Sequence, residues 1–316
     1  MDRPTVLALR ALKLGDLLVA VPALRGLRAG FPDHRLVLAC AEWLRPLVDL
    51  IGGIDELLPT PGLDDPLGMP PGVADVVVNL HGSGAESRDR LEALEAPRRI
   101  GHMAPGWDGP EWRDDIHERE RWVRLINAHG VTGDALDYRL DPPDVDVSGF
   151  GAGPGSAIVH VGAFYASRHW PVDRFAAVVE DLVRRGKRVL LTGDKRERER
   201  AEQVAALVGE EFRGDGRVCN IAGTMSLTEF FAVIAGADIV VSADTGAAHL
   251  ASAFGRPSVV LFGPAEPLHW GPPPGPHRVL TDESLRRGDV FADSPDPALL
   301  AVGVADVVRE VDGLLR

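Results

Sequence analysis

Residues 237–250 run from a short apolar stretch, Ile239-Val240-Val241, through a polar turn, Asp244-Thr245-Gly246, and straight into an apolar segment carrying His249. A buried strand that hands over to a helix within a few residues is the basic unit of a parallel α/β sheet, with the helix crossing back over one face. The same grammar runs from end to end. Residues 5–10 read as a buried strand, residues 13–16 as a turn, and the following helix reaches about Gly30. On that helix Leu17, Val21 and Leu24 fall on one face, while Arg25 and Arg28 face away. Further strands are expected at residues 35–40, 55–58 and 75–80. Residues 59–72 form a Pro-, Gly- and Asp-rich loop, and an irregular region, 102–115, precedes a helix over 117–129.

Residues 141–155 are rich in Pro and Gly with little apolar periodicity, as expected of an interdomain linker. The alternation then restarts, with a strand at 157–161, a helix burying Phe175, Val178, Val179 and Leu182, a strand at 188–192 and a charged helix from about residue 196. Ser226-Leu-Thr-Glu229 fits a capping box for a helix ending near Gly236. A strand at 258–262 leads into Gly263-Pro264, and the last helix, 297–315, is expected to reach back over the first half. A chain of 316 residues is about twice the commonest domain size. Two domains follow, 1–148 and 149–316, each with a parallel α/β sheet.

The formal net charge of −13 and the lack of any basic stretch argue against a nucleic-acid partner. Cys40 and Cys219 are far apart, in apolar contexts, and make no metal-type spacing. Residues 1–5 lack the charged-then-apolar pattern of a leader, and no apolar run approaches the ~20 residues that span a bilayer. A cytoplasmic location is expected, without stable membrane insertion; a transient visit to the inner face of a membrane stays open.

Ligands of open α/β sheets bind beyond the carboxyl ends of the strands, where the next helix presents unpaired N–H groups. Thr245 and Gly246 sit at such a start and suit an anionic phosphate. Asp244 would repel that phosphate and suits a helix cap or an acceptor for sugar hydroxyls, so the segment points to a nucleotide sugar. In the first half, Asp16 follows Gly15 at a helix start, where a carboxylate serves either as an N-cap or as a base for an incoming hydroxyl. Arg168 precedes His169-Trp170-Pro171 and is either a surface arginine or a partner for a pyrophosphate. His249 reads as a core histidine or a ligand. Glu197 reads as a solvated helix charge, Met225 as core, and His81 as the end of a first-half strand.

Together, Lys13-Leu-Gly-Asp16, Arg168-His-Trp-Pro171 and Asp244-Thr-Gly-x-x-His249 resemble glycosyltransferase family 9, the family of the ADP-heptose:lipopolysaccharide heptosyltransferases. The likeness covers nearly the whole chain. It is most specific over residues 237–264, where Phe262-Gly263-Pro264 follows the Asp-Thr-Gly block, and weak between residues 59 and 143. It implies a GT-B architecture, two Rossmann-like domains facing across a cleft, with donor on the C-terminal domain and acceptor mainly on the N-terminal one. It further implies inverting transfer without a metal or other cofactor. Asp16 then matches the base, with Lys13 and His81 on the acceptor side. Arg168, Thr245 and Gly246 match the holders of the donor phosphates, and Asp244 and His249 those of the donor sugar. Glu197 matches a ribose contact and Met225 a nucleobase contact. Arg168 replaces a usual lysine, exchanging a point charge for a planar fork. The strand end His160-Val-Gly-Ala163 lacks the usual proline, and residues 102–115 match no acceptor pattern.

The resemblance implies as partners an ADP-linked sugar, with heptose as the family's sugar (ADP-heptose), and an acceptor hydroxyl on a glycan or natural product. A nucleotide-sugar epimerase and a non-catalytic nucleotide-sugar-binding protein are the alternatives on the same architecture. The Asp144-Val-Asp146 pair falls in the linker and is no metal signature.

Overall fold

A computed structural model describes residues 3–316, the side chain of Asp215 apart. The first two residues, within the segment read as lacking a leader, lie outside it. The chain divides into two compact units that meet at Leu140 and Asp141, so residues 141–155 group with the second unit.

The first unit runs β1 (Thr5–Leu9), α1 (Leu14–Gly30), β2 (Arg35–Cys40), α2 (Arg45–Ile51), β3 (Glu56–Pro59), β4 (Val76–Asn79), α3 (Ala85–Glu92), β5 (Arg98–Ile100) and α4 (Glu118–Ala128). Its strands lie in the order β3-β2-β1-β4-β5, and every neighbouring pair is parallel. All of β1 and β4 is buried, as a strand covered by helices on both faces requires. Helix α4 closes onto α1 at Gly26, where a Cβ would come within 2.6 Å of Ile126 Cδ1 and 3.0 Å of the Thr132 carbonyl. That approach fixes the height of α4 against the sheet, and with it the charged residues at the start of α4.

The second unit runs β6 (Ser156–His160), α5 (Val172–Arg184), β7 (Arg188–Thr192), α6 (Arg198–Leu207), α7 (Glu210–Arg213), β8 (Val218–Asn220), α8 (Leu227–Gly236), β9 (Ile239–Ala243), α9 (Gly246–Ala253), β10 (Ser258–Leu261), α10 (Pro267–Trp270), β11 (His277–Leu280), α11 (Pro297–Leu300) and α12 (Val304–Leu315). The strand order is β11-β10-β9-β6-β7-β8, again parallel throughout. Renumbered from β6, this is the 3-2-1-4-5-6 order of a dinucleotide-binding sheet. The face of α5 expected from its spacing, Phe175, Val178, Val179 and Leu182, is buried.

Three short strands, β5, β8 and β11, were not expected. Each borders a single neighbour, so it needs no continuous apolar run to mark it. The expected helix over 297–315 is broken at Gly303 into α11 and α12, with the Asp306 carboxylate accepting the Gly303 N–H at 3.1 Å. Val307 and Val311 of α12 bury against α5 and the strands β9 to β11 of its own unit.

Candidate functional site

The order of each sheet reverses once, between β1 and β4 in the first unit and between β6 and β9 in the second. At these switch points the connections leave in opposite directions and open a crevice at the carboxyl ends of the strands. The candidate residues collect at these two places.

In the first unit Asp16 stands in the first turn of α1, three residues past the N-cap Lys13, and is not itself the cap. Its Oδ2 accepts the Lys13 N–H at 3.1 Å, half of a capping box, and a quarter of its side chain stays exposed. Lys13 is exposed beside it. His81 follows β4, its N–H donating to Asn79 Oδ1 at 3.1 Å. Burial, and then the nearby Arg10 charge, push the His81 imidazole down to about 4. The structure thus brings Lys13, Asp16 and His81 to one sheet edge, where Arg10 donates from Nε to the Asp16 carbonyl at 3.0 Å and from Nη1 to the Leu80 carbonyl ahead of His81.

In the second unit Arg168 ends a single 3-10 turn, Ala166–Arg168, between β6 and α5. The turn is anchored on both sides: Ser167 Oγ donates to the Val290 carbonyl at 2.6 Å, and the Asp296 N–H donates to the Ser167 carbonyl at 2.9 Å. Trp170 pins the far end, fully buried, with Nε1 donating to the Val302 carbonyl at 3.0 Å. Trp170→Ala is expected to destabilise this unit by about 3–5 kcal/mol, read as a lower denaturant midpoint, because a large buried ring and its hydrogen bond go together.

From this anchored turn Arg168 Nη2 reaches Asp244 Oδ2 at 3.3 Å, and Asp244 Oδ1 lies 3.8 Å from His249 Nε2. The Asp244 carboxylate is buried and its charge is offset by Arg168, which answers why an acidic residue stands beside a phosphate-type turn. Arg168 remains one-fifth exposed, and its Nε is buried with no hydrogen-bond partner among the described residues. Thr245 is the N-cap of α9; its Oγ1 pairs with Ser242 Oγ at 2.8 Å, and Gly246 opens the helix. The first N–H groups of a helix have no partner within it and carry its positive dipole end. His249 sits one turn further on, nearly buried, in a pocket lined by Asp244, Ala248, Ser252, Phe262 and Trp270.

Glu197 turns inward, contrary to the solvated face its charged helix suggested. Its carboxylate accepts the Asp194 N–H at 2.6 Å and fills the space over Gly162, where a Cβ would lie 1.9 Å from Oε2. Burial is the main influence on that carboxyl and pushes it up, the Asp194 N–H pulling the other way. Met225 precedes the N-cap Ser226, half-buried, on a turn that Gly223 (φ +70) lets approach the Lys195 backbone. Arg168, Asp244, Thr245, Gly246 and His249 are therefore contiguous, while Glu197 and Met225 lie along the same edge over β7 and β8. Among the described residues no group of three or more His, Cys, Asp or Glu is placed to hold a metal ion.

Sequence reasoning passed over Arg10, Glu118 and Arg121, three charged residues buried in the first unit. Their signal was a charge directly after the apolar run of β1 and a Glu-x-x-Arg-Trp on the apolar side of α4. Three histidines, His81, His102 and His160, are held neutral by burial, each pushed down to about 4. Unfolding frees them to take protons at their ordinary value near 6.5, so stability is lost as pH falls from about 6.5 towards 4. Neither ring nitrogen of the buried His102 has a hydrogen-bond partner among the described residues. His102→Phe is expected to remove part of that slope, about 3 kcal/mol at pH 4 at most, in denaturant melts run at stepped pH.

Known proteins resemble this chain over part or all of its length. Residues 138–281 match the family model described as glycosyltransferase family 9 (heptosyltransferase). The lipopolysaccharide heptosyltransferase 2 of Escherichia coli K12 is 25% identical across 96% of this chain and 96% of its own length. The structure of the E. coli ADP-heptose lps heptosyltransferase II superposes with a TM-score of 0.76 at 20% identity, covering 98% of both chains. That of the E. coli heptosyltransferase WaaC with ADP does so with a TM-score of 0.71 at 20% identity, covering 98% of this chain and 99% of that one. The two parallel α/β sheets found here match the GT-B fold of these heptosyltransferase structures. Residues 138–281 thus match glycosyltransferase family 9, nearly the full chain is similar to a lipopolysaccharide heptosyltransferase, and the protein is an enzyme that transfers a glycosyl group from a nucleotide sugar.

Proposed function

We propose that the chain is an inverting, metal-independent heptosyltransferase that moves heptose from ADP-heptose to a hydroxyl of a surface glycan, with Asp16 as base. The observation that carries the donor half is the convergence of Arg168, Asp244, Thr245 and Gly246 at the second sheet's switch point. A diphosphate set there meets the guanidinium and the N-terminus of α9, two positive partners that balance its charge without a cation. Asp244 and His249 then face the sugar, while Glu197 and Met225 serve ribose and base. Lys13 and His81 flank the acceptor.

In the reaction the acceptor oxygen forms its bond to the anomeric carbon on the face opposite the diphosphate. The carbon–oxygen bond to the diphosphate breaks, its electron pair leaving with ADP, and Asp16 takes the acceptor proton. Such catalysis rests on positioning and on charge stabilisation of the leaving group. The E. coli relative is named for lipopolysaccharide, and a lipopolysaccharide-type core is the acceptor class to test first. Among the described residues no helix is long and apolar enough to cross a membrane, and the proposed place of work is the cytoplasm, at the membrane's inner face.

Calorimetric titration with ADP, UDP, GDP, dTDP and ADP-heptose, in EDTA, tests the donor. ADP and ADP-heptose are expected to bind selectively and unchanged by the chelator. A preference for another nucleotide discards the heptose, and affinity restored only by a divalent ion discards metal independence.

A further inference from the structure

We propose that Arg10 is a positioning residue for Asp16, held in place by Glu118 and Arg121 of α4; the proposal rests on Asp16 being the base. Arg10 directly follows β1 and its side chain is 1% exposed, so it cannot reach a substrate. Its guanidinium nevertheless joins the three parts that meet at the first sheet's switch point. Nε holds the Asp16 carbonyl at 3.0 Å, in the first turn of α1, and Nη1 holds the Leu80 carbonyl beyond β4. Nη2 lies 3.8 Å from Asp16 Oδ1 and 3.9 Å from Glu118 Oε2, with no hydrogen-bond partner among the described residues.

The network behind it is equally determined. The Glu118 carboxylate faces Arg10 with Oε2 and accepts Arg121 Nε on Oε1 at 2.7 Å. Trp122 lies 4.6 Å from the Arg10 guanidinium, and Trp112 lies 3.9 Å from that of Arg121. Asp16 is therefore steered at both oxygens, Oδ2 by the Lys13 N–H and Oδ1 by the Arg10 charge. A buried ion network adds little stability over an apolar group of the same volume. What the guanidinium supplies, and a methionine would not, is direction: two fixed donors that set the turn, and a charge held 3.8 Å from the carboxylate within it.

The test is a double-mutant cycle on the full chain, following ADP release from ADP-heptose with deacylated, heptose-free lipopolysaccharide core as acceptor. Arg10→Met is expected to lower kcat about 10- to 100-fold with donor KM unchanged, and Arg10→Lys to restore much of it. In an Asp16→Asn background Arg10→Met should cost nothing further, because its effect runs through a carboxylate no longer there. An equal loss in both backgrounds, or a change in KM in place of kcat, overturns the proposal. Should Arg10→Met lose its cooperative thermal transition, the near-isosteric Glu118→Gln replaces it, with a smaller kcat loss that must likewise vanish beside Asp16→Asn. Full turnover by Asp16→Asn sinks the base reading, and with it this one. An inactive Asp16→Asn beside a fully active Arg10→Met sinks only the positioning role. No turnover by the unaltered protein overturns the proposed transfer to this acceptor, on which both rest.

Discussion

Asp16→Asn is expected to lower turnover on the order of 10²- to 10⁴-fold while leaving ADP binding and the thermal midpoint nearly unchanged. The carboxamide keeps the shape of the side chain, and its oxygen still accepts the Lys13 N–H that the carboxylate accepts now. It cannot take a proton from an acceptor hydroxyl. The loss should fall on kcat, because the donor residues belong to the other sheet. Stopped-time assays of ADP release, paired with calorimetry of ADP, separate the two quantities. A variant that binds ADP normally and turns over at the full rate would remove Asp16 from the chemistry.

Arg168→Ala should weaken ADP binding and kcat/KM by about 2–4 kcal/mol, on the order of 10²- to 10³-fold, since a mostly buried guanidinium is exchanged for nothing. The substitution also leaves the Asp244 carboxylate, 6% exposed, with a charge its arginine had offset. That carboxylate would then repel the incoming diphosphate, so loss of attraction and new repulsion add. Arg168→Lys distinguishes charge from geometry. A lysine retains the charge, and recovery to within about tenfold of the native affinity identifies the charge as the dominant contribution. An unchanged ADP affinity in Arg168→Ala would move the diphosphate away from this loop altogether.

The fold was legible because parallel α/β units write themselves locally. A buried strand such as β1 or β9 is a short apolar run, and the helix that follows is marked by spacing and by its first turn. Three of the four edge strands escaped this logic; β8 (Val-Cys-Asn), for example, pairs on one side only and is half-exposed. The break at Gly303 escaped it too, because two short helices separated by one turn carry almost the same periodicity as one long helix.

The candidate site divides along a similar line. The sequence by itself determined the residues that belong to strand-to-helix turns: Asp16 in Lys-Leu-Gly-Asp, and the Asp244-Thr245-Gly246 turn ahead of α9. Their role depends on local backbone geometry, on which N–H groups a helix start presents, and six neighbouring residues are enough to encode that. Only the tertiary structure decided which distant side chains meet them. It set Arg168 against Asp244 across 76 positions, folded Glu197 inward over Gly162, and brought Glu118 and Arg121 behind Arg10. A buried charge is placed by the packing of whole elements, here the closure of α4 onto α1 at Gly26, and no local pattern in the sequence records where such an approach will end.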